Sequence, residues 1–439
     1  MSKIPKRIAA TVVNSLQGGV VPRVGLEYVT VGRKSEIEAL LRDISIIEDG
    51  GASFRFVMGK YGSGKSFLLQ TIRNYAMKKG FVVVDADLSP DRRLSGTNGQ
   101  GLATYKELIK NMSTSTKSDG GALSLILEKW ISNIKVEVMT ANKETLNEIQ
   151  FNKLISNKIM SVVNEMQGMI HGFEFGTVIK LYWQSYIDED EDMKSNVLKW
   201  FRGEYLTKRD SKNAIGVSEI ISDNNWYEYI KIFALFLVRA GYKGMIVLID
   251  ELVNIYKITN TTSRQNNYEK MLAIYNDMLQ GKANYIGVIM GGTPQSIEDK
   301  HRGVFSYEAL QSRLETSKFS KEGMQDLMSP IIKLEPLTNS EMYVLIEKLA
   351  QIHSDLYSYS KIITDDELIK FLTIEYSRVG ADKNITPREI IRDFISLLNI
   401  SIQNGNKSLS EIMNDGKFEF SENKITDDEI HQEFADFNV

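Results

Sequence analysis

An α/β fold, a parallel sheet flanked by helices, is predicted by three features of this sequence. The apolar run at 53–58 leads into the loop GKYGSGKS at 59–66 and then into FLLQTIRNYAMKKG, which has the composition of a helix. A second apolar run, FVVVDADL at 81–88, follows that helix. Two more, GMIVLIDELVNIY at 244–256 and NYIGVIMGGTP at 284–294, return far downstream. Strand, glycine loop, helix, strand is the opening of a parallel sheet whose crossovers are helical.

The elements follow in order. Residues 4–16 carry apolar positions at helical spacing, and QGGVVPRVGLEYVTVGR then breaks the pattern with glycines and a proline. Ser35 begins a helix, SEIEALLRDISIIEDG, with acidic residues in its first turns. From 89 to 239 long helix-period stretches such as LSLILEKWISNIKVEVM alternate with polar loops. The acidic run DEDED at 188–192 reads as a solvated loop, because like charges repel and stay hydrated. After Pro336 the chain is helical again, and 405–439 is a polar, acidic tail. The domain reading is therefore N-terminal helices and the first part of the core at 1–88, a helical insertion at 89–239, the second part of the core at 240–330, a helical lid at 331–404 and the tail at 405–439.

The 439 residues include no cysteine, which excludes disulfides, thiolate metal sites and thiol nucleophiles. A formal net charge of -4 gives no global basic balance, so any nucleic-acid contact rests on a local patch. The N-terminus lacks the long apolar core of a signal peptide. The apolar stretch IFALFLV stops at Arg239, far short of the ~20 residues that span a bilayer. A cytoplasmic protein without membrane contact is expected. His171, His301, His353 and His431 show no metal-ligand spacing, and the tryptophans of the helical block are expected to be packing anchors.

The chemistry is carried by the loop. Gly59, four residues, then Gly64, Lys65 and Ser66 have the spacing with which a glycine-rich loop cradles phosphates. Glycines let the backbone aim N–H groups at phosphate oxygens, and the helix N-terminus adds favourable partial charge. Binding is expected along Gly59, Lys60, Tyr61, Gly62, Ser63, Gly64, Lys65, Ser66 and Phe67. Lys65 is expected to reach the β- and γ-phosphates, and Ser66 to ligate Mg2+. The apolar run 245–249 ends at Asp250 and Glu251, where Asp250 would hold the metal and Glu251 would polarise the attacking water. Thr293 closes the next strand and would help position that water. Arg313 and Arg388 offer planar forks of donors suited to phosphate charge.

Taken in order, these residues resemble an AAA+ ATPase of the origin-recognition and STAND-related branch. VGRKSEIEALL, from Val31, Gly32 and Arg33, resembles the box that precedes the first strand and contacts adenine. Residues 59–66 resemble Walker A and Asp250-Glu251 Walker B. Thr293 falls at sensor 1, Gln311-Ser312-Arg313 resembles an arginine-finger motif, and Thr386-Pro387-Arg388 resembles sensor 2. More narrowly, GGVVPRVGLEYVTVGR, NVLKWFRGEYL at 196–206 and GYKGMIVLIDELVNIY at 241–256 resemble BREX (bacteriophage exclusion) ATP-binding proteins of the BrxD and BrxC/PglY type. The resemblance implies ATP and Mg2+, a homo-oligomer, partners among other defence proteins, and DNA. Threonine stands at sensor 1 where many relatives have asparagine, and no winged-helix module is expected in the short stretch after the lid.

Two functions of different class stay open. One is an oligomeric, ATP-hydrolysing motor or switch in an anti-phage complex acting on DNA. The other is a nucleotide-gated scaffold with little turnover. A P-loop metabolic kinase is a third reading, disfavoured because the carboxylates and arginines suit water as acceptor. Basic residues at 73–80, 89–94 and 205–213 could meet DNA phosphates, although such clusters are usually solvated faces.

Overall fold

The computed structural model describes residues 4–142, 147–315, 326–359, 363–377 and 386–414. The chain divides into two compact units. The larger takes in Thr30–Thr338 with Thr386–Arg388, and the smaller gathers Met1–Val29, Asn339–Ile385 and Glu389–Val439.

The larger unit is built on five strands: β1 (Ala52–Met58), β2 (Val82–Asp87), β3 (Met245–Asp250), β4 (Ile286–Gly292) and β5 (Ile331–Lys333). They pair in the order β2-β3-β4-β1-β5, and every neighbouring pair is parallel. All five C-terminal ends therefore open on one edge, where Met58 stands opposite Gly292 and Asp87 opposite Asp250. Strands of a sheet buried on both faces read as unbroken apolar runs, which is why MIVLI and VVV announce themselves.

Side-chain alternation divides the sheet between two cores. Phe54, Phe56, Val84, Val247 and Val288 face one way, and Val57, Val83, Ile246, Leu248 and Ile289 the other. The second face is covered by the helices Lys34–Glu48 and Lys65–Lys78, through Leu40, Ile44, Leu68 and Ile72. The first face shares its core with the helices between β2 and β3, from Gln100–Lys110 to Trp226–Arg239. Trp130, Trp183, Trp200 and Trp226 are all buried there. The helix Thr261–Leu279, between β3 and β4, adds Tyr268, Met271, Ile274 and Met278 to the same core.

The smaller unit is helical. Lys6–Gln17 and Leu26–Val29 pack on Asn339–Tyr357, which also meets Asp365–Ser377. Phe371 and Phe394, from Pro387–Gln403, meet with ring centroids 5.1 Å apart. His353 is fully buried, with Nδ1 at 2.9 Å from the Tyr359 hydroxyl and Nε2 at 3.0 Å from Asn399 Oδ1. The helix Leu409–Asn414 falls in the stretch read from sequence as tail; residues 415–439, with His431, lie outside the described residues. No helix among the described residues is long and apolar enough to cross a membrane.

Candidate functional site

β1 delivers the chain to Gly59, whose N–H donates to the Gly292 carbonyl at 3.1 Å and so ties the loop to the end of β4. Gly62 and Gly64 have φ of 71° and 95°, in the left-handed region where glycine is at no disadvantage. Gly64 is also the N-cap of Lys65–Lys78 and bonds nothing through a side chain, so the first N–H groups of that helix face the loop. Lys65 Nζ donates to the Gly59 and Lys60 carbonyls, each at 2.9 Å, and sits 5.4 Å from the centre of the exposed Tyr61 ring. Burial lowers the Lys65 pKa, while the charges of Asp250 and Glu251 oppose that shift.

The two halves of the site meet at one hydrogen bond. Ser66 Oγ donates to Asp250 Oδ2 at 2.9 Å across 184 residues of sequence, and the Glu251 N–H donates to Asp250 Oδ1 at 2.8 Å. Glu251 has φ of 62°, a left-handed conformation that is uncommon outside glycine and clusters at functional sites. Burial raises the Glu251 pKa, helped by Asp250 and Asp87 and opposed by Lys65 and Lys257.

Two residues of the site were not picked out from the sequence. Asp87, at the end of β2 beside Asp250, is a third carboxylate of the cluster; burial first, then Asp250, raises its pKa. Gly291 lets the Asp250 carboxylate fit, because a Cβ there would fall 2.9 Å from Asp250 Cγ. The carboxylate at a strand end and the glycine pair before Thr293 were the available signals.

The remaining expected residues are placed as follows. Thr293 is buried and caps the helix Pro294–Glu298, its Oγ1 accepting from the Ser296 N–H at 3.1 Å while its own N–H donates to Ser296 Oγ at 2.9 Å. Val31 and Gly32 are half-buried. Arg33 donates to the Ser63 carbonyl at 3.1 Å and to Glu36 Oε1 at 3.2 Å. Arg313 lies on Glu308–Leu314 and donates to the Ala309 carbonyl of its own helix at 2.7 Å. Thr386 lies against the loop, since a Cβ on Gly62 would fall 2.6 Å from Thr386 Cβ, and Arg388 follows two residues later.

The donor set fits a nucleotide phosphate chain. It offers left-handed glycines, a helix N-terminus, an ammonium and a hydroxyl paired with a carboxylate. Among the described residues no group of three or more His, Cys, Asp or Glu side chains is arranged to hold a metal by itself. Mg2+ does not require one, as it usually keeps several waters and takes one or two protein oxygens besides substrate phosphates. A family model described as "BREX system ATP-binding protein BrxC/D" matches residues 4–417. Among curated proteins, none matches the chain.

Proposed function

This chain belongs to the family of BREX system ATP-binding proteins BrxC/D, and on that premise we propose that it binds and hydrolyses ATP at the 59–66 loop as an oligomeric motor or switch acting on DNA. The observation that carries the reading is the Ser66–Asp250 hydrogen bond, which joins loop and carboxylates into one site. Loop N–H groups hold phosphate oxygens, and Lys65 exchanges the Gly59 and Lys60 carbonyls for the β- and γ-phosphates. Ser66 Oγ and Asp250 would hold Mg2+, which supplies charge neutralisation on the phosphates. Glu251 orients water toward the γ-phosphorus and accepts its proton; the bond to the β,γ-bridging oxygen breaks, giving ADP and phosphate. A raised pKa suits a base that takes up this proton near neutral pH. Thr293 positions the water, Arg388 meets phosphate charge, and Arg313 serves a neighbouring subunit's nucleotide. Val31 and Gly32 lie beside the base. Other defence proteins are the partners.

ATP hydrolysis by the protein and by Glu251→Gln, with and without double-stranded DNA and at several protein concentrations, tests this. Turnover that rises with concentration, responds to DNA and vanishes in the variant is expected. ATP binding without turnover under every condition would replace the motor with a nucleotide-gated scaffold. DNA held through phosphates should lose affinity steeply with salt, and a flat dependence would remove DNA from the reading.

A further inference from the structure

The geometry points to Arg33 as a positioning residue that fixes the Ser63–Gly64 peptide of the phosphate loop, acting through the backbone and not by contact with the base. The inference rests on the reading of this loop as the ATP site, and it assigns to Arg33 a role other than the adenine contact its motif implies.

The guanidinium is spent on protein. One terminal nitrogen donates to the Ser63 carbonyl at 3.1 Å and the other to Glu36 Oε1 at 3.2 Å, with the two side chains 9% and 13% exposed. A planar fork can hold both acceptors at once, whereas an ammonium on a flexible stem is a single point charge. The backbone is set for this reach: Gly32 and Arg33 have φ of 64° and 60°, a sharp reversal directly ahead of the helix Lys34–Glu48.

Holding that carbonyl fixes more than the carbonyl. In a trans peptide C=O and N–H point in opposite directions from one rigid plane. With the Ser63 oxygen pulled to Arg33, the Gly64 N–H is turned away from Arg33 and, in the phosphate site, toward the ligand. Gly64 is where such a plane turns over with the least backbone penalty: its φ is 95°, and glycine populates positive and negative φ about equally. A flipped plane would present an oxygen where phosphate needs a donor. Ser63 does not lock the plane by its own side chain, because its Oγ is buried without a hydrogen-bond partner.

The test compares wild type, Arg33→Lys and Glu36→Gln by calorimetric titration with ATP, GTP and inorganic tripolyphosphate. It also follows hydrogen exchange of loop amides 60–66 in nucleotide-free protein, with thermal melts to check the fold. Arg33→Lys should weaken all three ligands by the same factor, about tenfold, leave the ATP:GTP ratio unchanged and speed exchange at Gly64. Glu36→Gln, which keeps an acceptor oxygen but removes the charge that holds one end of the fork, should lose about threefold and exchange at an intermediate rate. It carries the test if Arg33→Lys fails to melt cooperatively. Loss confined to ATP with tripolyphosphate unaffected, or a changed ATP:GTP ratio, would make Arg33 a base reader and overturn the inference. Unchanged exchange at Gly64 would overturn it too. Wild-type protein that binds none of the ligands would sink the ATP reading, and the exchange comparison would still decide the peptide lock.

Discussion

Replacing Gly291 by alanine should uncouple the two halves of the site without replacing any charged residue. Gly291 lies inside β4 at ordinary strand geometry, so an alanine there is strained only by its neighbours. Those neighbours are close: the new Cβ would lie 2.9 Å from Asp250 Cγ and 3.2 Å from Leu69 Cδ1. Leu69 can turn a methyl aside, but the carboxylate is held from both sides by Ser66 and the Glu251 N–H, so Asp250 must leave one of them. Overpacking of this kind costs about 1–3 kcal/mol, and in a unit of this size that lowers Tm by roughly 1.5–5 °C. Losing a hydrogen bond to a charged acceptor costs about 1.5–3 kcal/mol. If that loss falls on the transition state, kcat/KM for ATP drops roughly 10- to 150-fold. Thermal melts and steady-state ATP hydrolysis read the two effects separately. Gly287→Ala is the control, since its Cβ would meet the flexible ends of Ile47 and Ile246 and not the carboxylates; it should lower Tm and spare turnover. Gly291→Ala with wild-type Tm and kcat/KM would refute the reasoning, as would equal loss of turnover in Gly287→Ala.

Other outcomes follow from single contacts. Thr293→Val removes the N-cap oxygen of Pro294–Glu298 and should cost about 1 kcal/mol, seen as a lower denaturant midpoint at unchanged slope. Asp223→Ala leaves the Gly99 and Leu102 N–H groups, each now bonded at 2.7 Å, without their acceptor; about 1–3 kcal/mol of destabilisation is expected, with faster amide exchange at the start of Gln100–Lys110. His353 is buried neutral between Tyr359 and Asn399, and burial lowers its pKa, while the Asn399 bond opposes the shift. Its contribution is therefore complete above the unfolded value of about 6.5 and is lost as pH falls toward and through the lower folded value. Melts from pH 7.5 to 5 should show the wild type losing more Tm than His353→Leu; parallel curves would exclude His353 as the cause.

The parts of the site that lie close in sequence were legible there. The loop at 59–66 declares itself because every backbone donor it needs comes from one short stretch between a strand and a helix. Asp250-Glu251 was legible because β3 is buried on both faces and so appears as an apolar run with acid at its end. β5 was not, since Ile331–Lys333 is too short for a period and owes its place to pairing with Phe56–Met58. Asp87 looked like an ordinary strand-end residue until β2 and β3 were paired in register. The hold of Arg33 on Ser63 is a contact between side chain and backbone, and no pattern of residue types encodes the orientation of a carbonyl. Likewise, periodicity marks 4–16 as a helix but does not say that it packs on Asn339–Tyr357, because an apolar stripe does not name the stripe it meets.

The helical block also has a physical hold on the carboxylates, through the strap that leaves β2. Its first residue is fixed on both sides: Leu88 N–H donates to the Asp250 carbonyl at 3.0 Å, and Asn254 Nδ2, just after Glu251, donates to the Leu88 carbonyl at 2.8 Å. Six residues on, Leu94 is fixed to the helices, its N–H donating to Asn267 Oδ1 at 2.9 Å and its carbonyl accepting from Trp226 Nε1 at 3.1 Å. Between them Arg92 folds back to the Asp87 carbonyl at 2.9 Å. A strap bonded at both ends and braced in the middle has little slack, so a shift of Trp226–Arg239 or Thr261–Leu279 cannot be absorbed within it. Part of any such shift must reach the Asp250–Asn254 backbone, which includes Glu251 in its left-handed conformation. Trp226→Phe, which removes the Nε1 donor that holds Leu94 to Trp226–Arg239 without altering any residue at the carboxylates, should leave ATP affinity near wild type and lower ATP turnover. Unchanged turnover would mean that the helical block and the carboxylates are coupled by another route, or not at all.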